Sequence, residues 1–300
     1  MKANILNLTA FLLFMSVCFS SCNKEDMDSS AYSNPENFKL TKLIIYSGST
    51  NNKPIVEIEY EYDKAGNKVK QSYFNYQPTR TLCMYLEYEY SGNQKVSEKK
   101  FTGVPGNLKL EFSTNYFYEN NRLVREDSKW EDLDDSYSFS LNYEYDNRGN
   151  LVRKYNYSRG IISGEVEYSY DIHNRLILEE GIEDYSIYYH KYIKYTYDDN
   201  GRETKMELFN MNWDLLSYVE KVYNGTNKLP EKELGYDENG IQTSKHQHFY
   251  DNLGNLTETT LNDKSLFKRK YKGRLLIEEI HQPSFHSEIS IYKYEYEKYK

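Results

Sequence analysis

Apolar and polar residues alternate along most of this chain, in short stretches that each end at a turn. Residues 143–145 place two tyrosines on one side of an extended strand and Glu144 on the other. Residues 146–150 then supply Asp, Asn and Gly, which cap turns and tolerate positive φ. Leu151 opens the return strand. The pattern predicts a strand, a tight turn and a second strand.

Versions of this unit recur along the chain. The last tyrosine before each turn is the anchor of its unit, and successive anchors are 21 to 28 residues apart. A period in this range marks a stacked-repeat architecture, so we expect one repeat domain in place of the two domains that 300 residues would allow. The anchors are Tyr62, Tyr90, Tyr118, Tyr145, Tyr170, Tyr197, Tyr223, Tyr250, Tyr271 and Tyr296.

Each strand has one apolar face and one polar face. Positions two and four residues before the anchors carry mostly Tyr and aliphatic residues, with Lys221, His248 and Arg269 as exceptions. Alternate positions carry glutamates such as Glu59 and Glu61. This predicts an all-β fold of stacked antiparallel hairpins with a packed face and a wetted, acidic face. About twenty strands spaced about 4.8 Å would extend about 95 Å, and because sheets twist we expect a spiral or partly closed sheet.

Composition indicates the fold class, and net charge limits the classes of partner. There are 33 Tyr and 13 Phe against 6 Pro, a balance that favours strands. The net charge is −8, and −9 once residues 1–21, with Lys2 as their one charged residue, are removed. An acidic chain lacks the counterion release that drives nucleic-acid binding, so we exclude nucleic acid as a partner.

The first residues predict export and a lipid anchor. A basic start at Lys2 is followed by an apolar stretch that is short for a membrane span. The ending Phe19-Ser20-Ser21-Cys22 resembles a bacterial lipobox, with Phe in place of the usual Leu. The resemblance implies cleavage before Cys22 and diacylation of its thiol. The alternative is an ordinary secretory signal with a chance cysteine.

We therefore divide the chain into three parts. Residues 1–21 are the signal peptide, 22–38 the lipidated cysteine and a polar tether of about 20–25 Å, and 39–300 the repeat domain. The run after Cys22, at residues 24–26, resembles charged runs that accompany lipoprotein export to the outer face of the outer membrane; a solvated linker is the alternative. Cys83 is the one other cysteine left, so no internal disulfide is expected.

The core Tyr-Asp-x-x-Gly-Asn/Arg-Leu, repeated through residues 55–300, resembles the YD-repeat (Rhs-repeat) family. The resemblance implies a β-repeat fold and contact roles at the cell surface. Large members wind their repeats into a hollow shell that can enclose a C-terminal toxin. We find no toxin domain after Tyr296 and no Asp-Pro-rich autocleavage segment, so we expect a short form without toxin delivery, and about ten repeats are too few for a sealed shell.

Candidate metal ligands have simpler interpretations. His246 and His248 share one face of a strand, yet zinc would require a third ligand, and we favour packed repeat residues. An acidic loop could bind calcium but lacks the ordered spacing and Gly of an EF-hand, so we favour a solvated loop. We expect no metal and no cofactor. The loop carboxylates are Glu131, Asp132, Asp134 and Asp135.

The candidate ligand-binding residues are Trp130 and Trp213, both beside the variable loops that close the repeats. Exposed rings there could stack on sugars; the alternative is that they close gaps at the rim of the sheet. No catalytic motif is present. We predict a monomeric, non-catalytic, surface-exposed outer-membrane lipoprotein that binds a glycan or another surface ligand. One alternative is a structural or accessory partner of a secreted or polymorphic-toxin protein, and a weaker one is a carbohydrate-active enzyme.

Overall fold

The computed structural model describes residues 38–48, 53–76, 78–131, 138–182, 191–282 and 289–298, which form one antiparallel sheet and its turns. Cys22 and the predicted signal and tether lie outside these residues. The strands are β1 (Phe38–Ser47), β2 (Pro54–Tyr62), β3 (Lys68–Tyr76), β4 (Arg80–Ser91), β5 (Gln94–Val104), β6 (Asn107–Glu119), β7 (Arg122–Trp130), β8 (Phe139–Tyr145), β9 (Leu151–Ser158), β10 (Ile161–Tyr170), β11 (Leu176–Ile182), β12 (Tyr192–Tyr197), β13 (Glu203–Phe209), β14 (Leu215–Val222), β15 (Lys232–Asp237), β16 (Gln242–Tyr250), β17 (Leu256–Leu261), β18 (Lys264–Lys272), β19 (Leu275–His281) and β20 (Ser290–Lys298).

The sheet closes on itself. Each strand pairs antiparallel with the next along the chain, and β20 pairs with β1. Leu43 of β1 lies opposite Ile58 on one side and Tyr294 on the other. The all-β hairpin prediction is confirmed, but the expected spiral or partly closed sheet is wrong. Closure pairs the backbone groups that an open edge would leave exposed.

Twenty strands enclose more space than their side chains fill. Eight strands already make an interior just wide enough for side chains. At about 4.8 Å per strand and a tilt of about 40°, twenty strands give a perimeter of about 125 Å. Lys95 and Glu98, on the inner face, keep about 30% of their side-chain area accessible. The inner face therefore carries polar side chains that stay partly accessible beside its buried apolar ones.

The two faces follow the predicted alternation. Side chains converge on the concave side of a closed sheet, which makes the more buried tyrosine face the inner face. On the outer face, glutamates lie near basic residues of the neighbouring strand, because like charges directly opposite are destabilising. That face is therefore mixed in charge and not simply acidic. Buried inner-face residues include Leu43, Ile45, Ile58, Met84, Val166 and Tyr292; outer ion pairs include Lys70–Glu87, Lys99–Glu89 and Lys268–Glu258.

The anchor tyrosines tie each repeat to the one before it. The Tyr145 hydroxyl donates to the backbone oxygen of Leu123 at 2.8 Å, where the preceding return strand begins. The spacing of the repeats is thus the number of residues that one hairpin needs before the next tyrosine can make this contact. The same bond, to a carbonyl 15 to 23 residues earlier, is made by Tyr62, Tyr118, Tyr170, Tyr197, Tyr223, Tyr250, Tyr271 and Tyr296.

The aspartate after the anchor organises the turn. Asp198 Oδ1 accepts the backbone N–H groups of Asn200 and Arg202, each at 2.9 Å, and Oδ2 accepts Arg202 Nε at 2.7 Å. Gly201 has φ +77°, a left-handed conformation that favours glycine. These contacts explain the Asp-x-x-Gly-Asn/Arg spacing. Turns of the same form follow Tyr62, Tyr145, Tyr170 and Tyr250.

The last residue of each turn also reaches the next turn around the cylinder. Arg202 Nη1 donates to the backbone oxygens of Gly225 at 2.7 Å and Asn227 at 3.0 Å. Asn255 Nδ2 donates to Gly273 O at 2.9 Å. We call this end of the cylinder the turn rim; it holds turns 63–67, 146–150, 171–175, 198–202 and 251–255. The opposite end, with turns 210–214 and 237–241, is the distal rim.

Strand β1 begins at the turn rim. Its first residue, Phe38, pairs with Lys298, the last residue of β20. The strand starts one residue before the predicted boundary at residue 39. Within the described residues, no helix is long and apolar enough to span a membrane.

Removing an anchor hydroxyl should destabilise the fold. Tyr145→Phe leaves the Leu123 carbonyl without its donor, and we expect the free energy of unfolding to fall by about 1 kcal/mol. Urea denaturation of the purified protein measures the change. Tyr157→Phe, on an exposed outer-face ring, is the control and should change stability by less than about 0.5 kcal/mol. Equal effects of the two substitutions would contradict the role of the anchor hydroxyl.

The turn aspartates should make stability depend on acid. The backbone hydrogen bond from Arg202, followed by its side-chain hydrogen bond, lowers the pKa of Asp198 from its ordinary 3.8. A lowered folded-state pKa stabilises the fold above the unfolded value and is lost as the pH falls through it, so we expect the urea midpoint to drop below about pH 4. Asp198→Asn keeps an acceptor oxygen but cannot titrate, so its midpoint should fall less than that of the wild type. Identical pH profiles would refute this source of acid sensitivity.

Candidate ligand-binding site

Trp213 occupies an unusual position in a distal-rim turn. Asn210 Oδ1 accepts the N–H groups of Asn212 at 2.8 Å and Asp214 at 3.0 Å, and Asn210 Nδ2 donates to Asp214 at 2.9 Å. The turn therefore has the same form as the Asp turns of the other rim. Trp213 fills the place that Gly201 fills there, with φ +64°. A bulky residue in this conformation is rare and costs about 1–3 kcal/mol.

The Trp213 ring is fixed against an outer-face tyrosine. It stacks on Tyr192 with ring centroids 3.8 Å apart and 18° between planes, and its centroid lies 5.5 Å from that of Phe209. Tyr192 is only 8% exposed, whereas Trp213 is 49% exposed. One aromatic face is thus buried in the stack while part of the indole is open to solvent. A flat, rigid and half-exposed ring is suited to stacking on a ligand with an apolar face.

Trp130 sits differently. It ends β7 on the inner face, with its ring centroid 5.0 Å from that of Phe112 at a tilt of 60°, and it is 39% exposed. The alternative of a ring that closes a gap at the rim fits this contact. Six strand spacings separate β7 from β13, about 29 Å along the sheet, so the fold does not bring the two tryptophans together.

The turn signal around Trp213 was missed in the sequence. The sequence pattern predicts only a variable loop at residues 210–213. Asn210 stands where the other turns have Asp, and Trp213 stands where they have Gly. The spacing of Asn210 and Asp214 matches that of Asp198 and Arg202, and it identifies the turn once those substitutions are allowed. What it could not indicate is that Tyr192, on the first strand of the same repeat, lies under the ring.

The inner face carries regular pairs of tyrosine and carboxylate. Tyr143 donates to Glu126 at 2.6 Å, and Tyr195 donates to Glu179 at 2.6 Å, each reaching the preceding strand. Tyr116 donates to Glu98 at 3.1 Å in the same way. Burial, and then these carboxylates, raise the pKa of such tyrosines. Since the hydroxyls already bind neighbours, the inner tyrosines form a polar lining of the cylinder.

Lysines fill the spaces between inner tyrosine rings. Lys95 Nζ lies 4.2 Å from the ring centroid of Tyr116 and 5.5 Å from that of Tyr88, and it contacts Glu98 at 2.8 Å. Lys68 lies between Tyr88 and Tyr60 in the same arrangement. Cation–π contacts of this kind contribute about 0.5–2 kcal/mol. They explain how charged residues are accommodated between aromatic neighbours.

The histidine pair behaves as repeat residues. His248 Nδ1 is 2.9 Å from Thr259 Oγ1, and Nε2 is 4.0 Å from Glu233. Burial lowers the pKa of His248, which favours the neutral ring. In the described part of the chain no group of three His, Cys, Asp or Glu residues could hold a metal ion.

The acidic loop of the sequence analysis lies mostly outside the described residues. Glu131 is described: it accepts a hydrogen bond from Ser113 at 2.8 Å and pairs with Lys129 at 3.2 Å. These hydrogen bonds, with the one from Ser113 first, lower the pKa of Glu131. Its carboxylate is thus held by neighbours of the sheet. The calcium alternative for the rest of the loop stays a prediction.

No protein-family model matches this sequence, and no curated protein matches it. Among solved structures, the chain is similar to a crystal structure of TcdB2-TccC3 without its hypervariable C-terminal region, at 18% identity and TM-score 0.46, covering 81% of this chain and 14% of that one. It is similar to a porin-like protein from Bacteroides uniformis at 11% identity and TM-score 0.36, covering 86% and 98%. A porin-like protein from Bacteroides vulgatus gives 11% and TM-score 0.30. The chain spans about one-seventh of the first relative, and membership of the YD-repeat family stays a prediction.

Proposed function

We propose that this chain is a non-catalytic, surface-exposed lipoprotein of the outer membrane, anchored through Cys22, that binds glycans at its distal rim. The observation that carries the proposal is Trp213. A bulky ring occupies the one turn position where the equivalent turns place glycine or asparagine, as at Gly201, Gly240 and Asn174, all with positive φ. A strained position of this kind supports a functional role, because stability alone would favour the smaller residue.

The chemistry of the ring supports a sugar ligand. Sugar rings present apolar C–H faces between hydroxyl groups, and a flat aromatic ring can cover such a face while polar neighbours bind the hydroxyls. Stacking on Tyr192 fixes the Trp213 ring before a ligand arrives, so little conformational freedom is lost on binding. Asn212 and Asp214 flank the ring in the same turn and carry amide and carboxylate groups suited to hydroxyls.

The position of Phe38 supports an orientation. β1 starts at the turn rim, so the chain that precedes Phe38 joins the sheet at that rim. We expect the tether predicted from the sequence, a coil of about 16 residues that spans about 20–25 Å, to keep the turn rim near the membrane. The distal rim, with Trp213, then faces away from the lipid. In this orientation the proposed binding surface is presented to the surroundings of the cell.

Replacing Trp213 should abolish glycan binding without lowering the stability of the fold. Trp213→Gly restores the residue that the other turns use; the relief of about 1–3 kcal/mol of backbone strain offsets the loss of a stack worth about 0.5–1.5 kcal/mol. We therefore expect unchanged or higher stability together with loss of glycan binding. The measurement pairs thermal melting with binding of the full-length protein, in detergent, to immobilised neutral and acidic polysaccharides.

The matched control for that experiment is Trp130→Phe, which keeps a ring on Phe112 and should leave binding intact. Wild-type protein that retains none of the polysaccharides would refute the proposed function. Binding that survives Trp213→Gly would refute the assignment of the site.

Orientation can be tested with one epitope at two equivalent turns. Residues 237–241 and 251–255 have the same hydrogen-bonded form, with glycines at φ +78°, but they lie at opposite rims. Insertion after Glu238 should leave the epitope open to antibody on intact cells. Insertion after Asn252 should shield it against the membrane. Equal antibody binding to both, or the reverse order, would contradict the orientation.

A further inference from the structure

A cleft of about 410 Å³ opens on the outer face near the distal rim, across β6 to β9. Its walls combine hydrogen-bonding groups with the exposed rings of Tyr157 and Phe139: Ser140 Oγ donates to Asp127 at 2.7 Å, Tyr157 is 45% exposed and Phe139 is 38% exposed. Arg125 Nε lies 3.1 Å from Asp127, which fixes the carboxylate. Asn115 and Lys129 complete the lining on the β6 and β7 side. Carboxylate, amide, ammonium and hydroxyl groups beside a flat ring are suited to a sugar.

A second cleft of about 460 Å³ lies on the same face across β10 and β11. Its polar side chains are three carboxylates, one lysine and the Ser163 hydroxyl: Glu165 binds Arg153 at 2.5 Å, and Glu180 lies 3.9 Å from Lys191. Gly181 forms the floor, with φ +155°, and a Cβ there would come within 2.0 Å of Glu165 O. The close approach of the two strands therefore requires glycine.

The two clefts and Trp213 lie side by side along neighbouring strands of the outer face. Tyr157, in the first cleft, lies directly opposite Ile162, in the second. Glu180, in the second cleft, lies opposite Tyr192, the ring on which Trp213 stacks. From β6 to β12 the path crosses six strand spacings, about 29 Å. We call this path, from Asn115 to Trp213, the outer groove.

We propose that the outer groove binds a linear, uncharged polysaccharide along several consecutive sugar units, with Trp213 at one end and Tyr157 as a second stacking ring. The proposal rests on the proposed function and specifies its ligand. An extended path with two exposed rings fits a chain better than a single sugar. Groups that bind successive units of one chain act at high effective concentration, so affinity should grow with chain length.

The charges of the groove favour an uncharged chain. Four of the cations, Arg125, Lys129, Arg153 and Lys191, are each paired with a carboxylate. Glu167 lies directly opposite Glu180, so the path presents no basic stretch that would attract a polyanion. The acidic groups are Asp127, Glu165, Glu167 and Glu180, and the basic groups are Arg125, Lys129, Arg153, Arg159 and Lys191.

The test uses the full-length protein and neutral malto-, cello- and mannooligosaccharides of increasing length, from disaccharide to decasaccharide. Wild-type affinity should rise with length in at least one series and then level off when the groove is filled. Tyr157→Ala should lower the affinity for the long members about threefold to tenfold and leave the shortest members unchanged. Tyr157→Leu, which keeps apolar bulk without the flat ring, should behave in the same way. Thermal melting verifies that each variant is folded.

Phe249→Ala is the matched control, since Phe249 is an outer-face ring of β16, 41% exposed and outside the groove. It should bind every oligosaccharide as the wild type does. Affinity that is independent of length, or equal for the Tyr157 and Phe249 variants, would overturn the groove while binding at Trp213 left the proposed function standing. Preference for polygalacturonate over every neutral series would overturn the ligand class. Absence of binding to any glycan would overturn the groove and the proposed function together.

Discussion

The fold depends on one bond repeated around a ring: the hydroxyl of an anchor tyrosine donating to a backbone carbonyl of the preceding repeat. Tyr145 makes this bond to Leu123, and eight other anchors make its equivalent. Each such bond contributes only about 1 kcal/mol. The bonds matter because they are repeated in most units and because they set the register between hairpins. A tyrosine that must meet a carbonyl of the previous hairpin sets how far each hairpin can slide along its neighbour.

The aspartate turn and the anchor work as a unit at one rim. Asp198 accepts hydrogen bonds from the backbone of its turn, and the Arg202 guanidinium donates to that aspartate. The same guanidinium also donates to a carbonyl of the next turn. This chain of contacts makes the turn rim regular. The loops of the distal rim differ in length and sequence along the chain. Variation is therefore tolerated where the proposed ligand-binding groups lie, while the opposite rim keeps the cylinder in register.

The residues proposed to bind a ligand and the residues that stabilise the fold lie on different parts of the cylinder. The inner face uses tyrosines, lysines and glutamates to satisfy one another, as in the contacts of Lys95 with Tyr116 and Glu98, and it presents a lining with few unused groups. The outer face near the distal rim instead exposes rings and leaves clefts. Trp213 lies in a turn of the regular form but at the position that glycine occupies in other turns. Because the other turns are regular, the substitution of a tryptophan at this position indicates a candidate site.

The repeat, the hairpins, the alternation of faces and most of the turn chemistry could be predicted from the sequence, because each depends on residues close together in the chain. Asp198 and Arg202 are four residues apart, and their contact can be expected from spacing alone. Closure of β20 on β1 was decided only by the tertiary structure, since twist accumulates over all twenty strands. The same is true of the candidate site. Trp213 was a candidate from sequence, but its stack on Tyr192 depends on how β12 and β13 pair, and the groove from Tyr157 depends on the register of β9 to β12.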